Sequence, residues 1–240
     1  MSLVTTVKRY FAEKAIRIEL PAEKVRQIID RHAVGDWFFY AFSGRASRWL
    51  VCDPSLWVQR HLPKRSAIFE TGCGCGLNLI WFAQKGFTNL KGSDISSEAV
   101  RAGQELAGLA GAPVELWQDD GLAPSRLPGE VDLLLALNWT YHVDDFDLGA
   151  FLSRYASLLG DGGHLIIDVV DSSFDRAENN QYLTSDWGKT LEERGASEYK
   201  RRYSGDDVVR LANGAGYEVR HVMRGEEQVI PRVVYILRKK

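Results

Sequence analysis

The chain has 240 residues, 45% of them hydrophobic and 26% charged, with a net charge of −2. That length suits one well-cored domain with an appendage. No apolar run approaches the ~20 residues of a bilayer span, three cysteines are too few for a disulfide framework, and the balanced charge gives no global pull toward nucleic acid. With no apolar leader near the N-terminus, a reducing cytoplasmic setting is the expectation.

In chain order, residues 1–60 read as a mostly helical cap holding nine aromatics, among them the cluster DWFFYAF at 36–42. Consecutive aromatics on a short helix suit either core packing or a pocket for a substrate, and Tyr10 and Phe11 lie in a segment able to fold across a ligand. Residues 1–65 carry twelve Lys/Arg against six Asp/Glu, so they stand at +6 and the remainder at −8. This asymmetry fits a solvated face, or an entrance favouring an anionic partner.

From Ser66 onward strands alternate with helices. SAIFE (66–70) predicts a strand and Leu77–Lys85 a helix stopped by Gly86. NLKGSD (89–94) predicts a second strand, followed by a helix capped by Ser96 or Ser97. VELWQ (114–118) and EVDLLLALN (130–138) are the next strands, the latter apolar on successive residues as a strand buried on both faces requires. A helix over 148–159 leads through GDGG to HLIIDVV (164–170). A helix at 206–216 then precedes two strands, YEVRHVM and QVIPRVVYILRK, which read as an antiparallel hairpin. The alternation predicts an α/β fold, a doubly wound seven-stranded and mostly parallel sheet with an antiparallel edge. Residues 171–205 form a polar connection too long for an ordinary loop and are expected to be a lid or binding segment within a domain spanning 61–240.

The first strand runs into ETGCGCG, with glycines at 72, 74 and 76. Such a turn brings bare backbone N–H groups and a helix N-terminus up to a ligand. A dinucleotide turn of the G-x-G-x-x-G form would need a small residue at 77, where Leu77 stands. Glu70 would repel a nearby pyrophosphate yet accept hydrogen bonds from an amine, so a ligand with both an ammonium and a carboxylate suits the turn. Cys73 and Cys75 have no local histidine or further cysteine to complete a metal site, and read as small side chains in a tight turn.

The E-x-G-x-G-x-G run, followed by an acid ending the next strand, resembles motif I of the class I S-adenosylmethionine-dependent methyltransferases, over roughly residues 64–240. The resemblance implies a Rossmann-like fold with S-adenosylmethionine as cofactor, its tail held at Glu70, Gly72, Cys73, Gly74 and Gly76. It places the ribose hydroxyls on Asp94, the adenine amino group on Asp120 with Asp119 as the alternative, and Ile95 and Gly121 against the adenine ring. After the fourth strand, Leu137 and Asn138 match positions that contact the cofactor. In ALNWTYHVDD (136–145), His142 is the candidate general base, a residue type that titrates near about 6.5, with Tyr141 the weaker alternative; the resemblance favours for His142 a role in packing or capping the following helix. The implied activity is methyl transfer to a small-molecule acceptor, aromatic or anionic in character. LNWT stands where amino-group methylases of nucleic acid carry an N/D-P-P-Y tetrapeptide, which argues against that class of acceptor. The competing readings are a non-catalytic cofactor-binding protein and an NAD(P)-dependent reductase. No membrane partner is implied, and a homodimer stays open.

Overall fold

The computed structural model describes residues 16–45, 49–143, 146–176, 199, 201–225 and 230–240. Tyr10, Phe11 and most of the 171–205 connection lie outside them. The chain divides into two compact units, Met1–Leu135 and Ala136–Lys240.

Among the described residues of the first unit, three helices precede the strands. Helix α1 (Ala22–Arg31) begins after Pro21, whose fixed φ suits a helix start, and buries Val25, Ile28 and Ile29 on one stripe. Helix α2 (Asp36–Ser43) carries the aromatic cluster and lies between Gly35 and Gly44; helix α3 spans Trp49–His61. Core packing accounts for part of the cluster only: Phe38, Phe39 and Phe42 are half-buried. Ala41 is the buried residue of α2, while Trp37 and Tyr40 are 53% and 48% exposed. Arg26 of α1 lies over the Phe39 ring, 4.2 Å from its centroid.

Four parallel strands follow: β1 (Ala67–Thr71), β2 (Asn89–Asp94), β3 (Val114–Gln118) and β4 (Val131–Ala136). They pair in the order β3-β2-β1-β4. The chain therefore moves outward on one side of β1 and returns on its other side. That reversal is where a doubly wound sheet opens a crevice beyond its carboxyl ends. Helix α4 (Leu77–Gln84) connects β1 to β2, and α5 (Ser97–Ala110) connects β2 to β3. The Ser96 hydroxyl accepts from the Ala99 N–H at 3.1 Å, the cap predicted for α5. The apolar run of β4 is buried from Leu133 to Ala136, as its composition requires.

In the second unit, a short 3-10 turn (Thr140–His142) precedes α6 (Leu148–Tyr155) and the long strand β5 (Leu159–Asp171). Helix α6 ends earlier than expected and β5 starts earlier, taking in the GDGG segment. The Lys239 ammonium donates to the Leu159 carbonyl at 2.6 Å, and Gly162 has φ +77. A two-residue strand, β6 (Arg202–Tyr203), runs parallel to β5, a feature with no sequence signal. Helix α7 (Gly205–Gly214) starts on a reciprocal cap between Ser204 and Asp207. Strands β7 (Tyr217–Arg224) and β8 (Arg232–Lys239) form the expected antiparallel pair, with β8 also antiparallel to β5. Among the described residues, no helix is long and apolar enough to cross a membrane.

Candidate functional site

The glycine turn joins β1 to α4. Gly72, Gly74 and Gly76 all have positive φ, at 64°, 54° and 66°, a region that costs other L-residues roughly 1–2 kcal/mol. At Gly74 space is also short, since a Cβ there would come 2.6 Å from Cε1 of Phe38. The aromatic helix thus lies against the turn. Two glycines outside the motif matter equally. A Cβ on Gly92 of β2 would meet Leu79 at 2.7 Å and Cys73 Sγ at 2.9 Å, and one on Gly103 of α5 would meet the Cys75 carbonyl oxygen at 2.9 Å. Their bareness lets strand and helix close on the turn. The spacing from the motif contains no hint of either.

Glu70, the penultimate residue of β1, is 2% exposed. Its Oε1 accepts from Asn78 Nδ2 at 2.6 Å, while Oε2 has no hydrogen-bond partner among the described residues. Burial pushes the carboxyl up to about 8, against the opposing pull of Asn78 and Arg45. An enclosed carboxylate with one open oxygen is costly unless a donor arrives. An ammonium group supplies both the donor and the compensating charge.

Asp94 closes β2. Its Oδ2 accepts from the Gly74 N–H at 2.7 Å and its Oδ1 from the Ser96 N–H at 2.9 Å. These bonds aim the carboxylate while leaving each oxygen a further lone pair. Beside it, Ile95 is 68% exposed, a large apolar side chain with a free face.

The two acids after β3 separate by role. Asp119 is buried, and its oxygens accept from the N–H groups of Asp120, Ser125 and Arg126 and from the Ser125 hydroxyl, at 2.9–3.0 Å. Burial pushes its carboxyl up, but those hydrogen bonds outweigh burial and hold it below the usual range. Asp120 is exposed, with Oδ1 accepting from the Leu122 N–H at 2.8 Å. Asp119 therefore ties its own loop, and Asp120 with Gly121 stands at the strand end.

Cys75 is 1% exposed and its thiol is pushed up to about 12, by burial first and the Asp94 charge second. Burial and the nearby Glu70 raise Cys73 as well. Both remain thiols rather than metal-binding thiolates at neutral pH. No group of three or more potential metal-ligating side chains occurs among the described residues.

The residues after β4 belong to the second unit. Leu137 is buried. Asn138 takes φ +66, unusual outside glycine. Its N–H donates to Asp168 Oδ1 at 2.7 Å, and its side-chain oxygen accepts from Arg232 Nη2 at 3.1 Å. Asp168, fully buried in β5, is paired with Arg232, whose Nε lies 2.8 Å from Oδ2. The one signal for this pair is an aspartate at the centre of HLIIDVV, a charge on an otherwise apolar strand. Tyr141 is enclosed with Val170 and Phe174, stacks on Tyr199 and lies beneath the Arg232 guanidinium at 4.1 Å. His142 is exposed, its ring 4.2 Å from that of Tyr141.

A family model described as a methyltransferase domain matches residues 49–222. No curated protein matches the chain. Among solved structures, a magnesium protoporphyrin IX methyltransferase from Synechocystis with bound S-adenosylhomocysteine is similar at 21% identity and a TM-score of 0.61, covering 79% of this chain and 82% of that one. An S-adenosylmethionine-dependent methyltransferase from Clostridium acetobutylicum shares 16% identity at a TM-score of 0.62, over 84% and 96% of the two chains. Another from Methanosarcina mazei shares 19% at 0.61, over 76% and 96%. At such identities these likenesses establish a shared fold.

Proposed function

This chain belongs to the methyltransferase-domain family, and we propose that it transfers the methyl group of S-adenosylmethionine to a small-molecule acceptor by in-line displacement. One observation carries the cofactor reading. A buried carboxylate, Glu70, keeps one oxygen open among the described residues, next to a glycine turn whose backbone is held in the left-handed region. A zwitterionic amino-acid tail satisfies both features, its ammonium on Glu70 and its carboxylate toward the turn's N–H groups and the α4 N-terminus. Asp94, aimed by Gly74 and Ser96, would accept the ribose hydroxyls. Ile95 and Gly121 would cover the adenine ring, and Asp120 rather than the loop-bound Asp119 would accept from its amino group.

When bound, the cofactor supplies an electrophilic sulfonium methyl group. The chain's part is then to orient the partners and exclude water, and orientation alone lowers a barrier by about 7–11 kcal/mol. An acceptor that carries a proton needs a base. We take His142, which is exposed, as the candidate base in preference to Tyr141, which is enclosed by packing. A fall in turnover at unchanged donor affinity in His142→Ala is the mark of that role. Leu137 and Asn138 are assigned to the cofactor as the resemblance implies. A small, aromatic or anionic acceptor is supported by the exposed aromatics of α2 and the basic excess of residues 1–65.

Calorimetry with S-adenosylhomocysteine at pH 8 tests the cofactor assignment, and absence of heat at millimolar ligand would end it. Incubation of the protein with methyl-labelled S-adenosylmethionine and a cell extract tests the acceptor. Label in the low-molecular-weight fraction supports the reading, whereas label confined to protein or RNA overturns the small-molecule assignment.

A further inference from the structure

We propose that Arg45 is a positioning residue for the cofactor's ammonium subsite, acting through the Asn78 amide to hold the Glu70 carboxylate ready. The proposal rests on the cofactor reading above. Arg45 lies just beyond α2, outside the glycine motif, yet it is 3% exposed. Its Nε donates to the Ile16 carbonyl at 3.1 Å, Nη2 to Ser55 Oγ at 3.2 Å and Nη1 to Asn78 Oδ1 at 2.6 Å. Asn78 Nδ2 then donates to Glu70 Oε1 at 2.6 Å.

The chemistry of this relay has a direction. A guanidinium only donates, so the amide end facing Arg45 must be its oxygen, and the end facing Glu70 must be its NH₂. Without Arg45 the amide can turn, and the carboxylate then faces a carbonyl oxygen instead of a donor. Charge works in the same sense. The groups acting on Glu70 are Arg45 and Asn78, which favour its ionised form, and Asp94, which opposes it; the neighbouring Cys73 is a neutral thiol. Arg45 is thus the cation that balances Asp94 across the subsite. It does so from the helical region preceding the motif, which makes cofactor affinity depend on how that region packs.

The test is the pH dependence of S-adenosylhomocysteine binding by the full chain. In the unmodified protein an arriving ammonium must displace a proton from Glu70 below about pH 8. Affinity therefore rises about tenfold per pH unit and then levels off. Arg45→Gln and Asn78→Ala are expected to bind about tenfold more weakly at pH 7 and to move the plateau to higher pH by about half a unit or more. Arg45→Lys keeps the cation and retains most of the original profile. A merely structural role would weaken binding equally at every pH, and an unmoved plateau in Asn78→Ala overturns the proposal. Asn78 is half-buried, so this variant decides the matter even where Arg45→Gln fails to fold. A wild-type protein that binds no S-adenosylhomocysteine fails the cofactor reading instead, which keeps the two failures apart.

Discussion

Glu70 and Asp168 are both carboxylates closed off from solvent, one in each unit, and their surroundings differ in one respect. Asp168 has a partner for each oxygen, the Asn138 N–H on one and the Arg232 guanidinium on the other. Glu70 has Asn78 on Oε1 and, among the described residues, nothing on Oε2. A fully partnered buried carboxylate holds a turn in place. A half-partnered one carries a standing desolvation cost, which a ligand can relieve. The same division runs through the turns beside them. One reaches positive φ with glycine, and the other reaches it with Asn138, held by residues 30 and 94 positions away.

The largest effect that would break this comparison is on stability. Asp168→Asn breaks the buried ion pair with Arg232 and should cost about 3–5 kcal/mol in urea unfolding. Adding Arg232→Met should return much of that loss. A small effect of the single change would show that the pair does not hold the second unit together.

Glu70→Gln should act oppositely. Affinity for S-adenosylhomocysteine at pH 8 should fall by about 2–3 kcal/mol, the worth of a charged hydrogen bond, while the ligand-free protein keeps or gains stability. The sign follows from linkage. Glu70 binds its proton more tightly when folded than the ordinary 4.5, with the folded value near 8. Its contribution is therefore full below about pH 4.5 and is lost as pH rises through 8. The variant should lose less stability than the wild type between pH 5 and 9 in parallel melts, on the order of a few kcal/mol. A wild-type curve no steeper than that of the variant would refute the half-partnered reading.

Gly74→Ala combines positive φ with the close approach of Phe38. It should cost about 1–2 kcal/mol of stability, with weakened cofactor binding. The smallest effect sharpens the division between the two acids after β3. Asp119→Asn should lower stability by about 1 kcal/mol as its loop bonds weaken. Asp120→Asn should leave the melting temperature alone and weaken binding several-fold. Equal behaviour of the two variants in calorimetry would remove the distinction.

The strands and helices that carry the glycine turn were legible because local chemistry specifies them. Apolar runs form β1 and β4, Ser96 caps α5, and glycines permit the left-handed turn. Where local chemistry is silent, legibility stops. The early start of β5 goes with a bond from Lys239, 80 residues away, to the Leu159 carbonyl, and the roles of Asp119 and Asp120 depend on which one the loop at 125–126 encloses. The exposure of Trp37 and Tyr40 is a further case, because an aromatic helix reads equally well as core or surface until its neighbours are placed.

By itself, then, the sequence determined the α/β alternation, the E-x-G-x-G-x-G turn and the acids at the ends of β1, β2 and β3, all set by interactions within a few residues. Only the tertiary structure decided which carboxylate is half-partnered, that Arg45 and Asn78 stand behind Glu70, and that Asp168 and Arg232 hold Asn138. Those facts rest on hydrogen bonds between residues far apart in the chain, and burial sets their strength.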